Sequence, residues 1–376
     1  GPEHEFVPSV AALRDAINES GVLRMYVDQM IHSAVQPLDK PRGVENIPEL
    51  LHQLDYITGM APVWEEDENK RNFFPMSALF SEMLMDAAGQ AAFRYPPFND
   101  PIREILKTWC RYLDSPASAS VLNEGPHGWL CPEAVAYNKL DEFVIPDRGA
   151  PHWGWKSFNE FFHREIRKDA RSIADPGDPK VVVSPNDGTV YRVADGVSEH
   201  DRFWLKGEPY SLRDMLANSP HTQRFIGGRV FQSYLSGANY HRFHAPVDGA
   251  IREAYVVDGL MFSNIVNPDI KGTENQAYYT SVNTRGLTFI EADDPSIGMV
   301  CVMPVGITEV SSLTLTAGHG TSVKKGDQLG YFSYGGSSVA VVFEADAIDH
   351  FTVHPPADPD DPPVTIQVNA QIALAR

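Results

Sequence analysis

Cysteine is scarce, basic residues are outnumbered, and no long apolar run occurs. The 376 residues hold three cysteines, Cys110, Cys131 and Cys301. No two of them form a CxxC pair. A disulfide scaffold and a structural zinc site are therefore not expected, and no metal is assigned. The expectation is three buried, reduced thiols in a reducing compartment, the cytoplasm. Lys and Arg total 31 against 50 Asp and Glu, a formal net charge of −19. Nucleic-acid proteins usually carry a basic footprint, and docking on anionic lipid draws on basic residues, so neither partner is expected. No stretch approaches the ~20 apolar residues that a membrane-spanning helix needs. The densest, 299–307, has strand length. The opening Gly1-Pro2-Glu3-His4 lacks a basic n-region and an apolar segment, so no secretory signal is expected, and Gly1-Pro2 has the form of a protease remnant.

What is present is an ordinary globular composition, 43% hydrophobic and 22% charged, close to the soluble average. The length suits two or three domains. Residues 1–150 read as helical. Helical spacing of apolar and charged residues runs over 10–34, a second helix fits 47–60 with Pro48 in its first turn, and 74–93 is rich in Ala, Leu and Met. Over 101–113, Ile102, Ile105, Leu106, Trp109 and Leu113 share one stripe. A last helix is predicted over 157–173, with Phe158, Phe161, Phe162 and Ile166 as its apolar face. After 174–177 the pattern changes to short β-rich runs separated by Gly, Pro, Asn and Asp: 181–184, 189–193, 230–235, 251–257, 287–291, 299–305, 310–316 and 338–343. One short helix is plausible at 211–218, capped by Ser211. The fold class is thus α+β, a helical N-terminal domain (1–150) and a mostly antiparallel sandwich or barrel-like domain (151–376). Asp187-Gly188 and Asp248-Gly249 each read as a tight turn launching a strand.

Three clusters in the β-rich half carry chemistry-bearing residues. Tyr334-Gly335-Gly336-Ser337-Ser338 lies between two apolar runs. It reads as a connector, or as strained backbone in which the Ser337 hydroxyl turns back on the Gly336 carbonyl. Tyr240-His241-Arg242-Phe243-His244-Ala245-Pro246 offers two histidines three apart, which a regular strand points to opposite faces. Ser184-Pro185-Asn186-Asp187-Gly188 supplies an aspartate able to orient a histidine. Together they hold the makings of an activated serine, though spacing alone does not bring them together.

These three clusters, with Ser157-Phe158-Asn159-Glu160-Phe161-Phe162-His163-Arg164-Glu165 and Lys206-Gly207-Glu208-Pro209-Tyr210-Ser211-Leu212, stand in the order found in the phosphatidylserine decarboxylase family of pyruvoyl enzymes, which the region 157–376 resembles. The helical half, through Gly128-Trp129-Leu130 and the 153–162 segment, is similar to the branch that decarboxylates free aromatic amino acids such as tryptophan. Gly-Gly-Ser-Ser replaces the Leu-Gly-Ser-Thr of many phospholipid-acting members and keeps the Gly-Ser bond. The resemblance implies self-cleavage between Gly336 and Ser337 into a β-chain and an α-chain, with Ser337 becoming a covalent pyruvoyl cofactor. It implies His244 as the base for that step, Asp187 as the partner that orients it, and His241 as the proton donor in decarboxylation. It also implies a substrate amine held as a Schiff base on the pyruvoyl carbonyl.

The expected activity is decarboxylation of a free aromatic amino acid, a small-molecule substrate. Trp204, Phe243 and Phe262 are candidate pocket residues, and Arg242 or Lys206 a candidate cation for the substrate carboxylate. Two alternatives stand beside it. One is a phosphatidylserine decarboxylase making phosphatidylethanolamine. The other is a non-catalytic biotinyl/lipoyl-like module, suggested by the hairpin Val323-Lys324-Lys325-Gly326-Asp327-Gln328-Leu329-Gly330.

Overall fold

The computed structural model describes residues 5–34, 43–199, 210–236, 240–263 and 276–376. Its α-helices are α1 (Pro8–Glu19), α2 (Gly21–His32), α3 (Ile47–Ile57), α4 (Pro75–Leu84), α5 (Ala87–Arg94), α6 (Pro96–Leu113), α7 (Pro132–Tyr137), α8 (Phe158–Phe162), α9 (Leu212–Met215) and α10 (Gln276–Val282). The strands are β1 (Val181–Val183), β2 (Gly188–Ala194), β3 (Arg229–Leu235), β4 (Arg242–His244), β5 (Gly249–Val257), β6 (Arg285–Ala292), β7 (Met299–Glu309), β8 (Leu313–Leu315), β9 (Ser322–Val323), β10 (Gln328–Phe332), β11 (Gly335–Phe343), β12 (Ile348–Phe351), β13 (Thr365–Ile366) and β14 (Gln371–Ala375).

Polar residues punctuate the helical half. The sequence reads 10–34 as one helix, but Ser20 divides it by accepting the Leu23 N–H at 3.1 Å, an N-cap that ends one helix and starts the next. Asp86 divides the 74–93 segment in the same way, accepting the Ala88 N–H at 3.2 Å. Asn46 caps α3 through the Glu49 N–H at 2.9 Å. The α6 stripe is buried as its spacing predicts. The helix predicted over 157–173 is corrected: α8 covers only 158–162. Beyond it the chain extends, Ile166 bridges Phe143, and the buried Arg164 guanidinium lies 4.0 Å from the Phe143 ring centroid. Those tertiary contacts override the helical pattern.

An eight-stranded antiparallel sheet of order β13-β2-β3-β11-β7-β6-β5-β9 forms the frame, with two three-stranded sheets, β1-β14-β12 and β4-β10-β8. The molecule is α+β, and among the described residues no sheet closes into a barrel. Strand β11 is central. Val339, Val341 and Phe343 enter one core with the small sheets, while Ala340 and Val342 enter another with α9 and Tyr279 of α10. Covering on both faces explains the unbroken apolar run, since alternate side chains enter opposite cores. The helical layer has its own core, which reaches Tyr240, Met261, Phe262, Val310 and Tyr334 of the β-rich half. Helices therefore pack beside the start of β11.

The strand expected at 310–316 is shortened to β8, because 309–311 turn sharply. Glu309 and Ser311 both take left-handed backbone conformations, with φ of 57° and 35°. The Gly-Gly-Ser-Ser segment, which also reads as a connector, is strand from Gly335 onward. Lys325 is not displayed at a hairpin tip. Its buried ammonium donates to the carbonyls of Asp175, Asp178 and Val181 at 2.8, 2.8 and 3.0 Å. Of the thiols, Cys131 and Cys301 are buried and Cys110 is half-buried.

Candidate active site

The register of β11 against β7 breaks between Gly336 and Ser337. Gly336 pairs with Thr308 and Ser337 with Gly306, so Ile307 faces no partner on β11. Extra residues of this kind kink a strand and re-aim its neighbours. Ser337 is buried, and its Oγ forms no hydrogen bond among the described residues. The Gly336 carbonyl accepts the Ser311 hydroxyl at 2.8 Å. Gly335 has a φ of +152°, and a Cβ there would lie 2.1 Å from Ser311 Oγ and 2.4 Å from the Thr308 carbonyl. Glycine is what allows that approach.

Helix α8 fixes the segment just upstream. Asn159 accepts the Tyr334 N–H at 3.1 Å and donates to Asp114 at 2.8 Å. Phe162 packs edge-on to the Tyr334 ring at 5.4 Å and lies 4.0 Å from the His241 ring, centroid to centroid. His241 is buried, and its carbonyl accepts the Phe332 N–H at 2.9 Å. It thus lies beside the strand that leads into the Gly-Gly-Ser-Ser segment.

His244 lines a separate cavity of about 630 Å³, with Glu165, Arg171, Tyr240 and Gln328 among its other walls. Its Nδ1 lies 2.8 Å from the Gly326 carbonyl, and its Nε2 lies 2.6 Å from the Tyr240 hydroxyl. A carbonyl only accepts, so the neutral ring carries its proton on Nδ1 and takes the Tyr240 O–H at Nε2. Burial pushes the imidazole below its ordinary pKa. The Gly326 carbonyl and the charge of Asp187 act the other way, and Arg242 adds to the lowering.

Asp187 does not hydrogen-bond His244. Its carboxylate takes a two-pronged bond from Arg171, at 3.0 and 2.6 Å, and the Val368 N–H at 2.7 Å. Its influence on His244 is through space. The remaining sequence candidates sit elsewhere. Phe243 is fully buried 5.3 Å from the Phe332 ring, and Phe262 is fully buried against Phe80 and Phe93. Arg242 donates to the His163 carbonyl and to Gln328, both at 2.7 Å. Trp204 and Lys206 lie outside the described residues.

Ser311, Glu309 and Arg171 were not singled out by sequence. Ser311 also lines a cavity of about 370 Å³ between α6 and the 310–313 turn, with Leu106, Met261 and Leu313 as apolar wall, Arg103, Lys107 and Arg111 as cations, and Asp114 and Asp258 as carboxylates. Glu309 is fully buried. Its carboxyl accepts the N–H groups of Met76 and Ser77 at 3.1 and 2.6 Å, and the Ser77 hydroxyl. Burial pushes it up to about 7. The one signal for this turn is a Glu and two Ser breaking an apolar run.

A family model described as phosphatidylserine decarboxylase matches residues 158–360, and a second model for that enzyme matches residues 7–137. The chain belongs to the phosphatidylserine decarboxylase family. It is a carboxy-lyase. It is 36% identical to the decarboxylase iboD of Amanita muscaria, over 72% of this chain and 83% of that protein. It is 27% identical to an L-tryptophan decarboxylase of Psilocybe cubensis, over 97% of this chain and 90% of that protein. The phosphatidylserine decarboxylase proenzyme 3 of Schizosaccharomyces pombe is 34% identical over 52% of this chain and 19% of its own length. Among the described residues no helix is long and apolar enough to cross a membrane.

Proposed function

We propose that the chain is a self-processing, pyruvoyl-dependent decarboxylase that converts a free aromatic L-amino acid, tryptophan-like, to its amine and CO₂. The observation that carries the reading is the buried Ser337 hydroxyl, without a hydrogen bond among the described residues, beside a Gly336 carbonyl held at a break in register. A buried hydroxyl is normally bonded. One left over next to a polarised carbonyl fits a nucleophile awaiting its reaction.

In this reading the catalytic domain is 151–376 and the helical domain is 1–150. Ser337 Oγ attacks the Gly336 carbonyl carbon, the 336–337 peptide bond breaks, and the amine takes the proton. The chain is then joined through an ester. Elimination frees Gly336 as a carboxylate, and hydrolysis at residue 337 releases ammonia. That leaves a pyruvoyl group on a 40-residue α-chain, 337–376. His244, neutral through burial, is the base in this reading; for that role its ring must leave Tyr240 and turn from the cavity it lines towards Ser337, with which it makes no hydrogen bond here. Asp187 supports the imidazolium electrostatically, and His241 returns a proton to the substrate carbon. The pyruvoyl carbonyl supplies the electron sink that takes up the pair left by CO₂.

Two observations support a free aromatic amino acid. The likeness to the Psilocybe tryptophan decarboxylase runs through both halves of the chain, whereas the Schizosaccharomyces proenzyme matches about half of it. The cavity at Ser311 combines apolar walls with three cations and two aspartates, Asp114 and Asp258, a mixed lining able to take a large apolar side chain with charged groups of both signs at one end.

Denaturing mass spectrometry and a CO₂-release panel test the reading. Wild type is expected as two chains, the shorter lacking an N-terminal amine, and Ser337→Ala as one inactive chain. Free tryptophan, phenylalanine, tyrosine and dihydroxyphenylalanine are run against phosphatidylserine liposomes. Turnover of the liposomes alone would replace the proposed substrate by the phospholipid.

A further inference from the structure

We propose that Ser311 is a catalytic residue of maturation: its hydroxyl stabilises the oxyanion that forms at Gly336 when Ser337 attacks. The proposal rests on the reading that Ser337 breaks the 336–337 bond.

The 2.8 Å contact between Ser311 Oγ and the Gly336 oxygen fixes a direction. A carbonyl oxygen has no proton to give, so the single hydroxyl proton of Ser311 points at it. When the Ser337 Oγ–C bond forms, the carbonyl electron pair moves onto that oxygen. Ser311 keeps its own proton and strengthens its hydrogen bond to the new negative charge. As the carbonyl re-forms, the C–N bond breaks and the nitrogen of residue 337 leaves protonated. No oxidant or further reactant is needed.

A donor of this kind is useful when it is fixed before the reaction and shielded from water. Ser311 meets both conditions. It is fully buried. Its N–H donates to the Tyr334 carbonyl at 2.8 Å, tying the turn to the strand that carries the scissile bond. The same turn holds two left-handed non-glycine residues, Glu309 and Ser311, a strained conformation that persists only where the surroundings enforce it. The Glu309 carboxyl is itself held by the first N–H groups of α4, which anchors one end of the turn. On the other side, Gly335 leaves room for Ser311 Oγ where a Cβ would collide. A hydrogen bond that only closed the turn would leave the chemistry indifferent to its loss.

The test follows cleavage of freshly folded precursor by denaturing mass spectrometry. Ser311→Ala is expected to slow cleavage roughly 10²–10³-fold, the usual loss for one oxyanion donor. Ser311→Cys keeps the volume with a weak donor and is expected to fall between alanine and wild type. The melting temperature of Ser311→Ala is compared with that of Ser337→Ala, which is also uncleaved. Should the alanine variant melt early, the cysteine variant decides. Hydroxylamine cleaves an ester as soon as it forms, so it is expected not to rescue Ser311→Ala. Rescue would place the defect after the ester and overturn the proposal, as would cleavage at the wild-type rate by a folded variant. Wild type that stays whole defeats the reading of Ser337 instead, whatever Ser311 does.

Discussion

Asp187 places both carboxylate oxygens on Arg171, and the two side chains are only 10% and 6% exposed. Removing one member of a buried ion pair leaves the other charged and unpaired. Arg171→Ala is therefore expected to lower stability by about 3–5 kcal/mol, measured as a urea midpoint in the uncleaved Ser337→Ala background. A change near zero would mean that water reaches Asp187 freely. At this scale the sequence is informative where chemistry demands a residue type. Gly335, Gly336 and Ser337 stand out because they interrupt an apolar run, and the histidine pair stands out by its spacing. Ser311 and Arg171 do not, because their roles depend on partners 25 and 16 positions away. The expected Asp187–His244 bond fails for the same reason: nothing local announces that an arginine has taken the carboxylate.

Helix α4 meets strand β7 at the buried carboxyl of Glu309. The amide dipoles at its start favour a charged Glu309, but burial outweighs them and raises the carboxyl from 4.5 to about 7. Tyr334, itself held well above its ordinary value by burial, faces the same carboxyl. A raised carboxyl pKa means that the folded chain binds more protons than the unfolded one between about 4.5 and 7. The contribution of this group is thus full below that window and lost as pH rises through it. Glu309→Gln is expected to flatten the fall in melting temperature between about pH 4.5 and about pH 7. Parallel curves for variant and wild type would place the titration elsewhere. Helix existence was legible from apolar spacing, since every stripe residue of α6 is buried. Helix ends were less so. Ser20 and Asp86 look unremarkable in a list of polar residues until their oxygens are seen to take backbone N–H groups. The helix predicted over 157–173 stops at Phe162, and beyond it Ile166 takes a bridge to Phe143 that no local pattern encodes.

Across the whole molecule, the antiparallel β-rich half could be anticipated from the closely spaced strands, but the order of the sheet could not. Strand β11 pairs with β3 along Ser337–Phe343 and with β7 along its full length. The proposed cut at 336–337 falls at its first residues. The short chain would keep most of that strand together with β12, β13 and β14. Both products are therefore expected to travel as one species in native size-exclusion chromatography and to separate only in denaturant. A free short chain under native conditions would contradict the pairing. The helical layer reaches the same neighbourhood through Asn159, Glu309 and the core around Tyr334, which links the two halves of the chain at the point where chemistry is proposed.

The strand that carries the proposed cut is also the keystone of the eight-stranded sheet, hemmed by neighbours on either side. A gene divided at that codon would deliver two polypeptides that must find each other before the sheet is whole, and no amide would join them for the serine to open. Under the proposed self-cleavage, continuity is thus needed once, at birth: the chain is made in one piece in order to work in two.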